Sequence, residues 1–211
     1  MGSLGKGILL FSLAVAPSFA DTIFFQGTLA ADDQVALFNI TFDTSEIVTI
    51  ETDSYAGGTL DSIDVPAGGF APAAFLFDNI GGVLTLVAGG PGQVGLDPTT
   101  GSRADIFYQD PLGPGTYTLA LAVLDNSPAG LLPADGFAQD GNPGFTCASE
   151  GVGGSFCDLT DAFFSSRTGN YAIAITGADS VIGPVPEPGS ILLLLAGGAF
   201  IALRRRSLTS R

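Results

Sequence analysis

The chain of 211 residues has no histidine and no tryptophan, a single methionine, two cysteines and only seven basic residues. Each shortage removes a class of function. Without histidine no Ser–His or Cys–His nucleophile pair can be assembled. Neither a Gly-x-Ser-x-Gly elbow nor a glycine-rich phosphate loop occurs. All 21 acidic residues fall within residues 21–187, where Arg103 and Arg167 are the only basic ones, so that segment carries 2 − 21 = −19. Such a surface repels nucleic acid phosphates and anionic lipid, and nucleic acid is excluded as a partner. The same charge keeps an exported protein soluble or draws divalent cations. The lack of tryptophan removes the side chain best suited to a sugar platform. Tyr55, Tyr108, Phe137 and Phe145 are left either as sugar contacts or as packing.

The two ends read differently from the middle. Lys6 precedes an apolar stretch, residues 8–15, followed by Ala16-Pro17-Ser18-Phe19-Ala20. Ser18 and Ala20 stand third and first before a cut ahead of Asp21, the small-residue pattern of a secretory signal helix over 1–20 and too short an apolar run for a membrane span. Signal peptidase is the expected processing partner. At the other end Pro186-Glu187-Pro188 is followed by an uncharged run, residues 191–203, and then by Arg204-Arg205-Arg206. As a helix that run spans about 20 Å at ~1.5 Å per residue, short of a bilayer core of ~30 Å. Gly189, Ser190 and snorkelling arginines extend it. The arginines hold that end in the cytoplasm. A C-terminal transmembrane helix within residues 183–211 is therefore expected.

Those three ordered elements closely resemble the PEP-CTERM sorting signal of Gram-negative bacteria. The resemblance implies a membrane-embedded exosortase that cuts near Pro186-Glu187-Pro188. It also implies a protein exported across the inner membrane, anchored transiently, and delivered to the cell surface or to an exopolysaccharide and biofilm matrix. An ordinary uncleaved anchor is the alternative.

Residues 21–182 are one domain's worth of chain, rich in Gly, Thr, Ile, Val and Phe. Apolar side chains alternate in residues 34–42 (Ala36, Phe38, Ile40, Phe42), 116–123 (Tyr117, Leu119, Leu121, Val123) and 170–176 (Tyr171, Ile173, Ile175), the period of half-buried strands. Further strands are expected over 22–29, 47–52, 73–78, 83–87 and 104–108, with Gly81-Gly82 as a hairpin turn. About eight strands without a soluble helix predict an all-β fold, a sandwich or jelly roll. Gly68-Gly69-Phe70-Ala71-Pro72 leading into Phe75-Leu76-Phe77-Asp78, then Gly113-Pro114-Gly115-Thr116-Tyr117, then Gly169-Asn170-Tyr171, resembles the bacterial pre-peptidase C-terminal type of β-sandwich. Ala71 stands where that family more usually has an acid.

Residues 126–167 form a Gly- and Pro-rich insertion, and long loops of this kind are usually functional or mobile. Its Cys147 and Cys157 are most simply a disulfide in an exported protein, since zinc would want further ligands. No pair of carboxylates stands out for hydrolysis, and the chain is expected not to be an enzyme or to need a cofactor. Calcium is the one candidate ion, with Asp32-Asp33, Asp61 with Asp64, and above all Asp135, Asp140, Asp158 and Asp161 as candidate ligands. Surface and turn roles compete for each. Two readings of function follow: a structural or interaction protein of the surface or matrix, and a calcium- or glycan-binding surface module. A carboxylate-based hydrolase comes last.

Overall fold

A computed structural model describes residues 21–80, 83–91, 103–148, 151, 153–160 and 165–185, with 83–91 and Val185 described by their backbone alone. The expected signal helix with Ser18 and Ala20, the tripeptide Pro186-Glu187-Pro188, the apolar run with Arg204, Arg205 and Arg206, and Asp161 lie outside the described residues.

The described residues form eleven strands: β1 (Thr22–Thr28), β2 (Ala36–Phe42), β3 (Glu46–Thr52), β4 (Gly58–Leu60), β5 (Ile63–Val65), β6 (Pro72–Ile80), β7 (Val83–Pro91), β8 (Phe107–Leu112), β9 (Gly115–Val123), β10 (Asn170–Thr176) and β11 (Ser180–Val185). They make a four-stranded sheet in the order β1-β10-β3-β8, a five-stranded sheet in the order β11-β2-β9-β6-β7, and a separate β4–β5 hairpin. Every strand pair is antiparallel.

Alternation explains why the two large sheets face each other. Phe38, Ile40 and Phe42 of β2 and Tyr117, Leu119, Leu121 and Val123 of β9 share one core with Val48 and Ile50 of β3 and Tyr171, Ile173 and Ile175 of β10. Removing each such side chain from water contributes ~1.5–3 kcal/mol. The result is a β-sandwich, as the alternation predicts.

The second face of the five-stranded sheet is also buried. Leu37, Ala73, Phe75, Phe77, Ala120 and Ala122 are covered by Phe137 from the segment after β9, the rings of Phe75 and Phe137 lying 6.5 Å apart. The outer face of the four-stranded sheet is covered only in part. Leu60 and Val65 of the hairpin sit over Ala172 and Ala174, while Ile47 and Phe107 stay exposed.

The strand expectations need four corrections. Among the described residues there are eleven strands rather than about eight. The strand expected over 104–108 lies at Phe107–Leu112, where it pairs with β3 as an edge strand. Ala104 and Ile106, which suggested it, are buried ahead of the strand. The β4–β5 hairpin was not expected, because its turn residues Asp61 and Ser62 take positive φ (47° and 64°) without the usual glycine. Finally, β11 crosses the expected boundary between a domain ending at 182 and a tail starting at 183. The β6–β7 ladder closes at Ile80 and Val83, and the expected Gly81-Gly82 turn between them lies outside the described residues.

The register gives the sandwich two poles. At one, the β2–β3, β8–β9 and β10–β11 connections are short. At the other lie residues 29–35, the hairpin with its flanks, and the described residues between β9 and β10. β11 ends beside Leu37, near the start of β2, and so points its C-terminus toward this second, capped pole.

Candidate functional site

The capped pole holds the residues that sequence reading marked as chemically interesting, and three buried carboxylates organise it. Asp32 is fully buried. Its Oδ1 accepts the Gly144 N–H, and its Oδ2 accepts both the N–H (2.9 Å) and the hydroxyl (2.6 Å) of Thr146. The Thr146 hydroxyl oxygen in turn accepts the Cys157 N–H at 2.9 Å. Thr146 and Cys147 lie in one helical turn, α1 (Phe145–Ala148), and Cys147 is joined to Cys157 by the expected disulfide, with Cα atoms 5.0 Å apart. Phe145 and Phe156, on either side of the bridge, enter the main core.

The second carboxylate is Asp158. Its Oδ2 accepts Nη2 (2.6 Å) and Nε (2.9 Å) of Arg167 and the Tyr55 hydroxyl (2.7 Å). Its Oδ1 accepts the N–H and hydroxyl of Thr160. The Arg167 guanidinium also lies 3.8 Å above the centre of the Tyr55 ring, a cation–π contact. Both charges are almost wholly removed from water, which is tolerable only because each is paired and hydrogen-bonded.

The third is Asp105. It accepts the N–H of Tyr55 (3.1 Å), the N–H of Ala56 (2.7 Å) and the Thr52 hydroxyl (2.9 Å). Burial raises its pKa from 3.8 to about 6, against the lowering effect of those same donors.

The candidate calcium ligands are thus divided among separate tasks. Asp135 accepts the Leu132 N–H (3.0 Å) and Asp140 the Phe137 N–H (2.9 Å), each closing its own turn. Asp158 is saturated by Arg167, Tyr55 and Thr160. Among the described residues no group of three or more His, Cys, Asp or Glu is placed to hold a metal. The aromatics left open as sugar contacts are packed: Tyr55, Phe137 and Phe145 are buried, and Tyr108 lies against the main core.

Asp32 and Asp105 were not singled out for these roles by sequence reading, and Asp105 gives no sequence signal. Arg167 does give one. One of only two cations in a segment of 21 acids has to be paired if it is buried. Each of the three buried carboxylates accepts bonds from the protein itself: Asp32 and Asp158 hold the inserted segment in place, and Asp105 holds the chain after β3.

From this pole β11 hands the chain to the tail. Residues 184–206 match the PEP-CTERM protein-sorting motif. Such signals are found on exported proteins and imply processing by an exosortase. The match begins inside β11, at Pro184, and Val185 is still paired with Leu37. No curated protein matches the chain.

Proposed function

We propose that the chain is a non-catalytic structural or interaction protein of the bacterial cell surface or extracellular polysaccharide matrix. In this reading an exosortase releases the β-sandwich from its C-terminal membrane anchor. The observation that carries it is the sorting motif at 184–206 joined to a folded strand without a linker. The charge of −19 over residues 21–187 supports it, as a large net charge of one sign keeps an extracellular domain soluble. The non-catalytic part rests on the absence of histidine and on buried carboxylates that are all occupied by protein donors. The sandwich is read as the pre-peptidase C-terminal type, in a Gram-negative host, on the strand-and-turn order given above.

Glycan binding is the second reading, and the groove described in the next subsection favours it over calcium.

Cell fractionation tests the main reading. In a host with the sorting protease the protein is expected in the surface or medium fraction, and in a host lacking it, in the membrane fraction. The same distribution in both hosts would overturn the proposal.

A further inference from the structure

The outer face of the four-stranded sheet carries a groove of about 340 Å³ between β1, β10 and the chain leaving β5. That volume sits at the small end of ligand clefts, ~300–1,000 Å³. Its rim is polar and uncharged: Gln26, Thr28 and Asn170 are exposed there. One wall is apolar, formed by Val65 and Pro66, and the floor includes Ala172. Among the described residues no acidic or basic side chain lines it, in a protein that carries three times as many acids as bases (21 against 7).

The rim has hydrogen-bonding capacity to spare. Thr28 donates its hydroxyl to Asn170 Oδ1 at 2.8 Å, which orients the Asn170 amide, and its two N–H donors bond none of the described residues. Gln26 makes no side-chain hydrogen bond among the described residues, leaving one acceptor and two donors. The floor beneath is rigid. Ser54 Oγ accepts the Ala172 N–H (2.7 Å) and donates to the Ala172 carbonyl (3.2 Å), replacing the ladder bonds that β3 would have made had it continued past Thr52. Gly69 approaches the carbonyls of Asn170 and Ser54 so closely that a Cβ would collide with both, which fixes the backbone behind the groove.

We infer that this groove binds a neutral saccharide, one or two rings of a polysaccharide chain. Two amides and a hydroxyl on one rim match vicinal hydroxyl groups, which both donate and accept. The Val65–Pro66 wall matches the C–H face of a pyranose. The absence of lining charge, together with the acidic surface around it, selects against uronic-acid and sulfated sugars. This deepens the surface-interaction reading, on which its biological meaning rests, by giving it a ligand class.

The test uses the exported protein purified from cells that process it normally. It is titrated with cellotetraose, laminaritetraose, maltotetraose and, as the anionic probe, tetragalacturonate, following the side-chain amide resonances of Gln26 and Asn170. At least one neutral tetrasaccharide is expected to shift both sets saturably, and tetragalacturonate to shift neither. Gln26→Ala and Asn170→Ala are each expected to weaken binding roughly fivefold to tenfold, as loss of one neutral hydrogen bond implies. Gln109→Ala, on the same sheet but outside the groove, is expected to leave it unchanged. The Gln26 side chain makes no hydrogen bond among the described residues, and its β1 backbone pairing with Ala172 is kept in the variant, so folding is not put at risk. The inference is overturned if no neutral tetrasaccharide acts by about 10 mM, if the double variant binds as wild type does, or if tetragalacturonate binds as well. A protein that is sorted normally but ignores all four sugars would end this inference and leave the sorting proposal standing.

Discussion

The two poles of the sandwich satisfy their backbones by opposite means. At the turn pole the connections are a few residues long. Their polar groups are met by exposed neighbours: the Asp43 N–H reaches Asp179 Oδ2, the Asp179 N–H reaches the Thr41 carbonyl, and Thr44 bonds Glu46. At the capped pole the 46 residues 124–169 connect β9 to β10, with one short 3₁₀ turn (Pro133–Asp135) and α1 as their only helical pieces among the described residues. A segment with so little ladder pairing cannot be packed against a core unless its backbone donors find acceptors. Asp32 and Asp158 supply them from full burial, and Asp105 does the same for the chain leaving β3 at Tyr55 and Ala56. The lesson is that an irregular insertion can be part of the core, provided that charged side chains are buried to hold it.

That contrast can be broken most severely at the Asp158–Arg167 pair. Asp158→Ala leaves the Arg167 charge buried over the Tyr55 ring and is expected to cost about 3–5 kcal/mol in urea unfolding. Adding Arg167→Met should recover part of that loss. A cost under about 1 kcal/mol would show that the pair is solvated and the pole loosely held.

Removing the disulfide comes next. Its ten-residue separation predicts a loss of about 3 kcal/mol for Cys147→Ser with Cys157→Ser. If the cap is integral to the fold, that loss appears as a shift of the single unfolding transition, without a separate early one.

Asp105 makes the contrast pH-dependent. Its folded pKa of about 6 lies above the ordinary 3.8, so the folded state holds the proton more tightly. Its contribution to stability is therefore full below pH 3.8 and is lost as pH rises through about 6. At ~1.36 kcal/mol per pH unit, wild type should lose up to about 3 kcal/mol relative to Asp105→Asn across that window. A difference that stays flat with pH would mean that Asp105 is not buried as described.

The smallest effect belongs to the turn pole. Thr44→Ala, which removes one exposed hydrogen bond to Glu46, should change stability by no more than about 0.5 kcal/mol. A larger loss would erase the distinction between the poles.

Legibility in the sequence follows the same division. The central strands β2, β9 and β10 are visible because burial of one face imposes period two on Phe38-Ile40-Phe42, Tyr117-Leu119-Leu121 and Tyr171-Ile173-Ile175. Leu37 and Ala120-Ala122 add a second buried face that period two does not announce, since its cover, Phe137, comes from the insertion. β8 is obscured because an edge strand can carry Gln109, Asp110 and Pro111 facing solvent. The β4–β5 hairpin is obscured by a turn built from Asp61-Ser62. Cys147 and Cys157 are readable as a pair because nothing else in the chain could join either. The buried carboxylates are unreadable, because 21 acids look alike until the fold assigns each a donor. The groove combines β1, the end of β5 and β10, so no local pattern could have announced it.

The capped pole is also where β11 ends and the sorting motif begins, which joins the fold to the proposed processing. The most direct measurement is the mass of the C-terminal peptide of the mature protein, from hosts with and without the sorting protease. A C-terminus near Pro186-Glu187-Pro188, with β11 retained and seen only in the presence of the protease, is the expected result. An intact Arg211 in both hosts would contradict it and leave the tail as a permanent anchor.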